Sequence, residues 1–477
     1  MEHAPQQIPL SEGDVNCSSN RRQWLEEIDD SETRGWLEED ERWFLHQSLS
    51  TPCLDVLESA AGSSITDLAG RSLLDFHGNS VHQVGYGHPA VMQAIKQQVD
   101  TLPFCPRRFT CAPAIRLARK LAELAPGNLN KVLLAPGGAE AISIALKIAR
   151  EATGRFKTIS FWDSFHGAGI DTISIGGEAL FRGELGPLLP GSGHIPPPNP
   201  SRCVFGCKGE CSLACAGYLE YVLERETGVG ALIAEPVRST VVGIPPDGYW
   251  QRIREICDRH GVMLILDEIP ICLGRTGTMF ACEATGITPD LLVIGKGLGG
   301  GVWPLAAVIA RDDLRLNPAR ALGHFTHEKS PVGSAAALAT IEVIESDDLC
   351  GRSQSMGEYA LDCCKKMQHR QPAIGDVRGI GLLLALELVK SDGAPDPETA
   401  DRVLYRCLRN GLSFKVSGGN VVTLCPPLTI SEEDINRALS ILEKSIELEC
   451  DKASAAGSAG AGSHWAQPRH AIGRPGE

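Results

Sequence analysis

The sequence predicts an α/β protein whose large domain has a mostly parallel central sheet, followed by a smaller α+β C-terminal domain. Short apolar runs, among them VLLAP, TISFW, GALIAEP, VMLILDE and LLVIGKG, alternate with helical segments between residues 73 and 330. This alternation is typical of a parallel sheet covered by helices. After residue 330 the order changes to two consecutive helices, short strands and a last helix, which predicts the second domain.

The individual helices follow from the spacing of apolar residues. In the large domain, this spacing predicts helices at 114–124, 138–151, 216–226 and 248–260. In the small domain, it predicts helices at 332–346, 352–368, 398–410 and 431–449, with a strand at GLLLALELV.

Changes in composition divide the chain into four parts. Residues 1–72 are an N-terminal segment, in which charged and apolar residues at helical spacing predict one or two amphipathic helices over 21–47. Residues 73–330 are the large domain and residues 331–450 the small domain. The last part, 451–477, is rich in Ala, Gly and Ser, which predicts a disordered tail.

The charge of the chain excludes some classes of partner. The 45 Lys and Arg residues against 59 Asp and Glu residues give a formal charge of −14, so we expect no binding to nucleic acid or to an anionic membrane surface. The N-terminus has acids and prolines where a secretory signal has basic and apolar residues, which predicts a cytoplasmic protein. The 17 scattered cysteines are then expected to be reduced and mostly buried.

A lysine lies within the longest apolar stretch of the chain. Residues 291–310 contain Lys296, several glycines and Pro304, so we expect two buried strands joined by a turn, not a membrane span. A lysine between apolar runs is expected to be buried, which is costly unless the amine is paired, neutral or covalently used. The alternative is a surface lysine in a turn.

Two carboxylates and a glycine turn complete a candidate site. The strand VMLILDE ends in Asp267 and Glu268, at the edge where parallel sheets bind ligands, although such an acid can also cap the next turn. The turn PGGAEA at 136–141 leads into a helix and offers free amides to a phosphate, a common feature of α/β proteins. A lysine that forms an imine and an aspartate that protonates a pyridine nitrogen are what pyridoxal phosphate requires.

Seven motifs, in order along residues 50–450, closely resemble the class III (ω-amino acid) aminotransferases, which are fold type I pyridoxal-phosphate (PLP) enzymes. They are LLDFHGNSVHQVGYGHPAVMQAI, GGAEA, SFHG, AEPV, LDEIPICLGRTG, GKGLGGG and DVRGIGLLLALEL. The resemblance implies PLP as the cofactor and a homodimer with shared active sites.

The resemblance also implies a role for each matching residue. Lys296 holds PLP as a Schiff base and moves the substrate proton, while Asp267 binds the ring nitrogen. Gly138 and Ala139 bind the phosphate, Phe165 and His166 belong to the ring-stacking motif, and Ile269 packs on the other ring face. Glu235 lies near the floor of the site, and Thr326 reaches the phosphate in the neighbouring subunit. Without the motifs, the favoured interpretation of Phe165 would be a core aromatic, and that of Thr326 a loop hydroxyl.

Several positions depart from the family pattern. Thr423, in NVVTLCPP, stands where many members have an arginine that binds a carboxylate, and Pro270 replaces a glutamine. Candidate substrate-binding residues are therefore Thr423, Arg238 of EPVR, Arg108 of CPRRFT and Lys329 of THEKSP, with solvated surface charge as the alternative for the arginines of CPRRFT. These variants resemble a subgroup that includes an ammonia-lyase acting on a hydroxylated aminoethylphosphonate.

Three functions are therefore compared. The first is transfer of the amino group of a primary amine or ω-amino compound, including one with a phosphonate or phosphate group, to a 2-oxo acid. The second is elimination of ammonia from a vicinal hydroxy-amine such as a hydroxylated aminoethylphosphonate. The third, a non-catalytic relative, is disfavoured because Lys296 and Asp267 are both present.

Four cysteines, Cys203, Cys207, Cys211 and Cys215, recur at every fourth residue. Zinc is the alternative reading, but the two-residue spacing of thiolate knuckles is absent and glycines interrupt the segment. We therefore predict a loop with packed thiols and no metal.

Overall fold

The computed structural model of the chain describes residues 17–51, 53–200, 202–207 and 211–459. Its strands are β1 (Leu57–Ala61), β2 (Ser64–Asp67), β3 (Ser72–Asp75), β4 (Leu129–Ala135), β5 (Lys157–Phe161), β6 (Ser192–Ile195), β7 (Val229–Ala234), β8 (Met263–Asp267), β9 (Leu291–Ile294), β10 (Ala306–Arg311), β11 (Ile374–Ile380), β12 (Leu383–Leu388), β13 (Leu412–Ser413), β14 (Lys415–Ser417) and β15 (Val421–Leu424).

The helices are α1 (Ser19–Glu26), α2 (Ser31–Trp43), α3 (Pro89–Thr101), α4 (Ala112–Leu124), α5 (Gly138–Thr153), α6 (Ile170–Ile175), α7 (Ala179–Arg182), α8 (Ala214–Leu223), α9 (Tyr249–His260), α10 (Ala281–Thr285), α11 (Pro331–Ser346), α12 (Leu349–Arg370), α13 (Pro397–Arg409) and α14 (Glu432–Ala459). Short 3-10 helices cover Gly78–Ser80 and Lys296–Gly299. Each helix that the sequence predicts has its counterpart here.

The central sheet is mostly parallel, which confirms the predicted fold class. Its strand order is β4-β10-β9-β8-β7-β5-β6. Among the strand pairs described for this sheet, β10 is antiparallel to its neighbours β4 and β9, and the other pairs are parallel. The carboxyl ends of β7, β8 and β9 therefore meet at one edge, where the candidate ligand site is expected.

Helices cover both faces of this sheet and bury its central strands. Every residue of β8 is buried, and alternate residues enter different cores: Leu264 packs in the same cluster as Ile253 of α9, and Ile265 in the same cluster as Ile148 of α5. Because successive side chains of a strand point to opposite faces, a strand covered on both sides is apolar throughout. This explains the continuous run VMLIL in the sequence.

Two smaller sheets bring the ends of the chain together. One has the order β1-β2-β3-β13, in which Leu74 of β3 lies beside Leu412 of β13, and the other is β11-β12-β15-β14. The N-terminal segment thus holds helices α1 and α2, as expected, and also strands. Strand β1 is not apparent in the sequence because LESAA is exposed along its whole length and has no buried alternation. The division into domains at residues 72, 330 and 450 stays a prediction.

The last helix is longer than the sequence analysis expects. Helix α14 continues to Ala459, into the stretch from residue 451 that was predicted to be disordered. Alanine is the strongest helix former, which accounts for the extension through KASAA. The rest of the predicted tail, residues 460–477, lies outside the described residues.

No helix in the described part of the chain combines the length and the apolar character needed to cross a membrane.

Candidate active site

A cavity of about 830 Å³ lies at the carboxyl edge of the central sheet. Lys296, Asp267 and Gly138, which follow or end strands of the central sheet, line this cavity together with Lys415 and Thr423 of the sheet β11-β12-β15-β14. The predicted chemical groups, which come from distant parts of the sequence, therefore share one cavity.

The two acids at the end of β8 have different roles. The oxygens of Glu268 accept hydrogen bonds from the amides of Ala281, at 2.6 Å, and Cys282, at 2.7 Å, so this carboxyl caps α10. Burial raises the pKa of Glu268 to about 7. Asp267, by contrast, lines the cavity. The helix-capping alternative thus applies to Glu268, whereas the position of Asp267 in the cavity wall is consistent with its predicted role in ligand binding.

The carboxylate of Asp267 is buried and oriented by its neighbours. One oxygen lies 2.8 Å from Nδ1 of His166, and the other accepts a hydrogen bond from the amide of Ile269 at 3.1 Å. A carboxylate has about four acceptor positions, so Asp267 retains capacity for a further donor on the cavity side. Among the described residues, Nε2 of His166 is buried without a hydrogen-bond partner.

Lys296 lies in the turn after β9, with φ at 46°. Its apolar neighbours Ile294 and Leu298 are buried, but the lysine side chain itself is exposed within the cavity. The expectation that Lys296 is buried was therefore wrong, because the turn points this one residue out of the apolar core. A Cβ at the following residue, Gly297, would lie 1.8 Å from Oε1 of Gln83, so any other residue there would require the Gln83 side chain to move.

The turn before α5 forms an anion seat beside these groups. Gly138 starts the helix, and no side chain caps the helix N-terminus. The first amides of a helix lack partners within it, and its dipole favours a negative charge there. A Cβ at Gly138 would lie 3.0 Å from Cδ1 of Ile269, so the close approach of these two segments favours glycine.

Apolar and acidic side chains form the remaining walls. Phe165 and Ile269 line the cavity, and the ring of Phe165 is 4.4 Å from that of Phe181. Glu235 accepts hydrogen bonds from the amide of Ser239 at 3.0 Å and from its hydroxyl at 2.9 Å. Burial, with the nearby charge of Asp267, raises the pKa of Glu235.

These residues fit pyridoxal phosphate. The amides of Gly138 and Ala139 would bind its phosphate, Asp267 its ring nitrogen, and the amine of Lys296 its aldehyde carbon. Phe165 and Ile269 would enclose the ring. When bound, the cofactor supplies an electron sink for carbanion chemistry.

Four predicted site residues lie elsewhere in the described chain. Arg238 donates from Nη2 to the carbonyl oxygen of Asp163 at 2.5 Å and is not among the residues that line the cavity. Arg108, Thr326 and Lys329 are exposed and also lie outside the cavity of the single chain. Their proposed roles, of which that of Thr326 requires a second subunit, stay predictions.

Sequence reasoning missed several residues that line the cavity. His77 and Asn79 follow β3, Lys415 begins β14, and Arg21 comes from α1. The motif DFHGNS holds the first two, so a search for polar residues within that motif could have found them. Lys415 and Arg21 lie in segments without a chemical motif, and only the fold brings them to the site.

The cysteine segment shows hydrogen bonding between polar side chains. Sγ of Cys207 lies 3.4 Å from the hydroxyl oxygen of Ser212. Within the described residues, no group of three or more His, Cys, Asp or Glu is arranged to hold a metal ion. The hydrogen bond from Ser212, with others from Cys203 and Cys211, lowers the pKa of the Cys207 thiol to about 7.

We expect iodoacetamide to alkylate Cys207 faster than the exposed Cys17 near pH 7. At that pH roughly half of the Cys207 thiol is the reactive thiolate, a fraction that falls as the pH is lowered. Peptide mass spectrometry over a time course from pH 6 to pH 9 measures both rates. Ser212→Ala should slow the labelling of Cys207 at pH 7. Equal rates for both cysteines across this range would contradict the expectation.

The comparisons with known proteins agree with this geometry. The family model for class III aminotransferases matches residues 47–446. An (R)-1-hydroxy-2-aminoethylphosphonate ammonia-lyase from Vibrio splendidus is 50% identical over 457 residues, which cover 92% of this chain and 95% of that protein. An alanine/serine racemase from Pyrococcus horikoshii is 33% identical over 402 residues, 81% of this chain and 84% of that protein.

A solved structure shows the same fold. The crystal structure of a transaminase from the marine bacterium Virgibacillus matches with a TM-score of 0.82 and 27% sequence identity, covering 88% of this chain and all of that one. The cavity, its lysine and aspartate, and the extent of these matches lead to one conclusion: this chain belongs to the class III aminotransferase family, whose members use pyridoxal phosphate.

Proposed function

We propose that this enzyme is a PLP-dependent ammonia-lyase that acts on a vicinal hydroxy-amine carrying a phosphonate, such as (R)-1-hydroxy-2-aminoethylphosphonate. The observation that carries the proposal is the 50% identity, over nearly the full length of both chains, to the Vibrio splendidus lyase. From the sequence alone, transamination is the first candidate because it is the common activity of the family. The similarity to the Vibrio splendidus lyase places elimination before it.

The walls of the cavity support elimination. Where many family members have an arginine for a carboxylate, Oγ1 of Thr423 donates to the carbonyl oxygen of Thr240 at 2.6 Å. The side chain is therefore short, neutral and already bonded, so it cannot form the bidentate ion pair that arginine makes with a carboxylate. A 2-oxo acid, which transamination requires as acceptor, has no such partner at this position.

The residues of the chain can move the protons that elimination needs. Lys296 would hold the cofactor and, with its amine free, would remove a proton from the substrate carbon that bears the amine. The same ammonium could then donate a proton to the hydroxyl that leaves the adjacent carbon as water. Hydrolysis takes back one water and releases ammonia, so the net products are ammonia and an aldehyde that keeps the phosphonate. No oxidant or second substrate is required.

We further propose that the active form is a homodimer. Thr326 and Lys329 are exposed, and their segment packs beside the one that leads into CPRRFT. The ring of His327 lies 5.2 Å from that of Phe104. Because this surface lies outside the cavity of its own chain, its polar residues are available to the site of a second copy.

Transamination is the second candidate. It is supported by the solved transaminase with a TM-score of 0.82, which shows that a transaminase uses this same scaffold. Here Lys296 would again hold and move the substrate proton, and a 2-oxo acid would be needed as the acceptor of the amino group.

Ammonia release distinguishes the two functions. The holoenzyme is incubated with (R)-1-hydroxy-2-aminoethylphosphonate, with and without pyruvate or 2-oxoglutarate, and free ammonia and aldehyde are measured. We expect one ammonia per substrate consumed and no dependence on the 2-oxo acid, because elimination regenerates the enzyme by itself. Consumption that requires the 2-oxo acid and yields an amino acid in place of ammonia would contradict the lyase.

A further inference from the structure

The cavity has a polar corner that the chemistry at Lys296 does not use. We call this the anion corner: Lys415 at the start of β14, with His77, Asn79 and Ser80 from the loop that follows β3. All four residues line the cavity, and none belongs to the seat before α5 that fits the cofactor phosphate.

Lys415 occupies the place next to Thr423 in the small sheet. Strands β14 and β15 are antiparallel, and Lys415 lies directly opposite Thr423. Side chains of directly opposed residues project from the same face of a sheet, with Cβ atoms about 5 Å apart. Position 423 lacks the arginine that many family members have, but Lys415 supplies a positive charge on the neighbouring strand, in the wall of the same cavity.

His77 lines the same cavity as Lys296 and Lys415. Its pKa is lowered to about 4 by burial and then by the charge of Lys415, with a smaller contribution from Lys296. The imidazole is therefore neutral at pH 7 and does not compete with the lysines for an anion. Because Lys296 and Lys415 line the same cavity of about 830 Å³, one small molecule can present its amine to Lys296 and an anionic group to Lys415.

The loop that carries the polar side chains is held in a costly conformation. Asn79 and Ser80 have φ angles of 45° and 59°, in the left-handed region that favours glycine. Asp75 holds the start of this loop, accepting hydrogen bonds from the amides of His77, at 3.0 Å, and Gly78, at 3.1 Å. Such strain is typical of segments whose side chains must point at a ligand.

The acids that line the cavity have partners of their own. Asp55 lies 2.7 Å from Nη2 of Arg71, Glu235 is bonded to Ser239, and Asp267 to His166. Each of these three acids therefore has a partner, which reduces its repulsion of an incoming anion. The ammonium of Lys415 is a compact point charge suited to a phosphonate, which carries three oxygens.

We propose that Lys415 binds the phosphonate of the substrate, with Asn79 and Ser80 donating hydrogen bonds to its oxygens. This assignment rests on the proposed function, since it names the group by which that substrate is recognised. Lys415 is a substrate-binding residue here and takes no part in the bond changes at Lys296.

The test measures binding and turnover separately in the holoenzyme. Binding of 2-aminoethylphosphonate, which lacks the hydroxyl that elimination requires, is measured by calorimetry in wild type, Lys415→Met and Lys415→Arg. Lys390→Met, a change at an exposed lysine outside this cavity, is the matched control. Turnover is measured with (R)-1-hydroxy-2-aminoethylphosphonate and with 1-amino-2-propanol, in which a methyl group replaces the phosphonate.

Lys415→Met should weaken binding of 2-aminoethylphosphonate roughly 10- to 100-fold, the range for loss of a hydrogen bond to a charged group. Its KM for the phosphonate substrate should rise by a similar factor, with a smaller change in kcat and none in the turnover of 1-amino-2-propanol. Lys415→Arg should retain most of the binding, and Lys390→Met all of it. The absorbance of bound PLP verifies that each variant is folded and loaded.

The outcomes separate this proposal from the lyase proposal. Ammonia release by wild type, with equal phosphonate binding in wild type and Lys415→Met, would overturn the role of Lys415 and leave the lyase intact. If 2-aminoethylphosphonate binding depends on Lys415 but the wild type releases no ammonia, the lyase proposal would be overturned and the role of Lys415 in phosphonate binding would stand. No binding of 2-aminoethylphosphonate to the wild type would overturn the subsite.

Discussion

Lys296→Ala is expected to abolish turnover, with a loss of roughly 10⁴-fold or more. If Lys296 has the proposed roles, the change removes two functions at once: the amine that attaches the cofactor and the group that moves the substrate proton. The exposed position of Lys296 within the cavity, beside Asp267 and the seat before α5, is what both functions require. Ammonia release under saturating substrate measures the loss.

Covalent attachment is tested independently of activity. Borohydride reduction of the wild-type holoenzyme should fix the cofactor on the peptide that contains Lys296, as measured by mass spectrometry, and the alanine variant should show no such adduct. Lys390→Ala, at an exposed lysine outside the cavity, serves as the control and should retain both adduct and activity. An adduct on another lysine in the wild type would refute the assignment of Lys296.

Asp267→Asn should lower kcat on the order of 10²- to 10³-fold, because it would remove one partner of the buried ion pair that Asp267 is proposed to form with the cofactor nitrogen. The amide keeps the shape of the side chain and can still accept the hydrogen bond from Ile269. It carries no charge, however, so the ring nitrogen would lose its proton and withdraw fewer electrons from the reacting carbon. We expect kcat to fall more than KM rises.

The adjacent acid provides a matched control for this change. Glu268→Gln alters a carboxyl on the same strand end that bonds to the amides of α10 and does not line the cavity. It should lower the stability of the protein while activity of the folded fraction remains. If Glu268→Gln removed activity and Asp267→Asn did not, the roles assigned to the two acids would have to be exchanged.

The fold could be predicted because its signals are local. Runs such as VMLIL and helical spacing over 138–151 are short-range patterns, and burial on both faces of a parallel sheet enforces them. Strand β1 was not predicted because an exposed strand is under no such constraint. The helical stretch after residue 451 was missed because composition alone does not distinguish an alanine-rich helix end from a disordered tail.

The candidate site could be predicted in part. Lys296, Asp267 and the turn at Gly138 lie in motifs whose chemistry is specific when they occur together, and the cavity unites them. The exposure of Lys296 was not predicted, because apolar neighbours in sequence do not determine where a side chain in a turn points. Arg238 was a plausible substrate ligand by position, yet its guanidinium bonds to the backbone at Asp163.

By itself, the sequence determined the class of fold, the family and the cofactor, and it predicted Lys296 as the residue that holds the cofactor, because each of these signals lies in contiguous segments. Only the tertiary structure decided that Asp267 faces the cavity while Glu268 caps a helix, and that Lys415 lies opposite Thr423 near His77. The physical reason is that such facts depend on the register of paired strands and on the convergence of segments far apart in the chain. The lysine predicted to bind the cofactor can thus be found from one motif, whereas the residues proposed to bind the substrate can be found only from the folded structure.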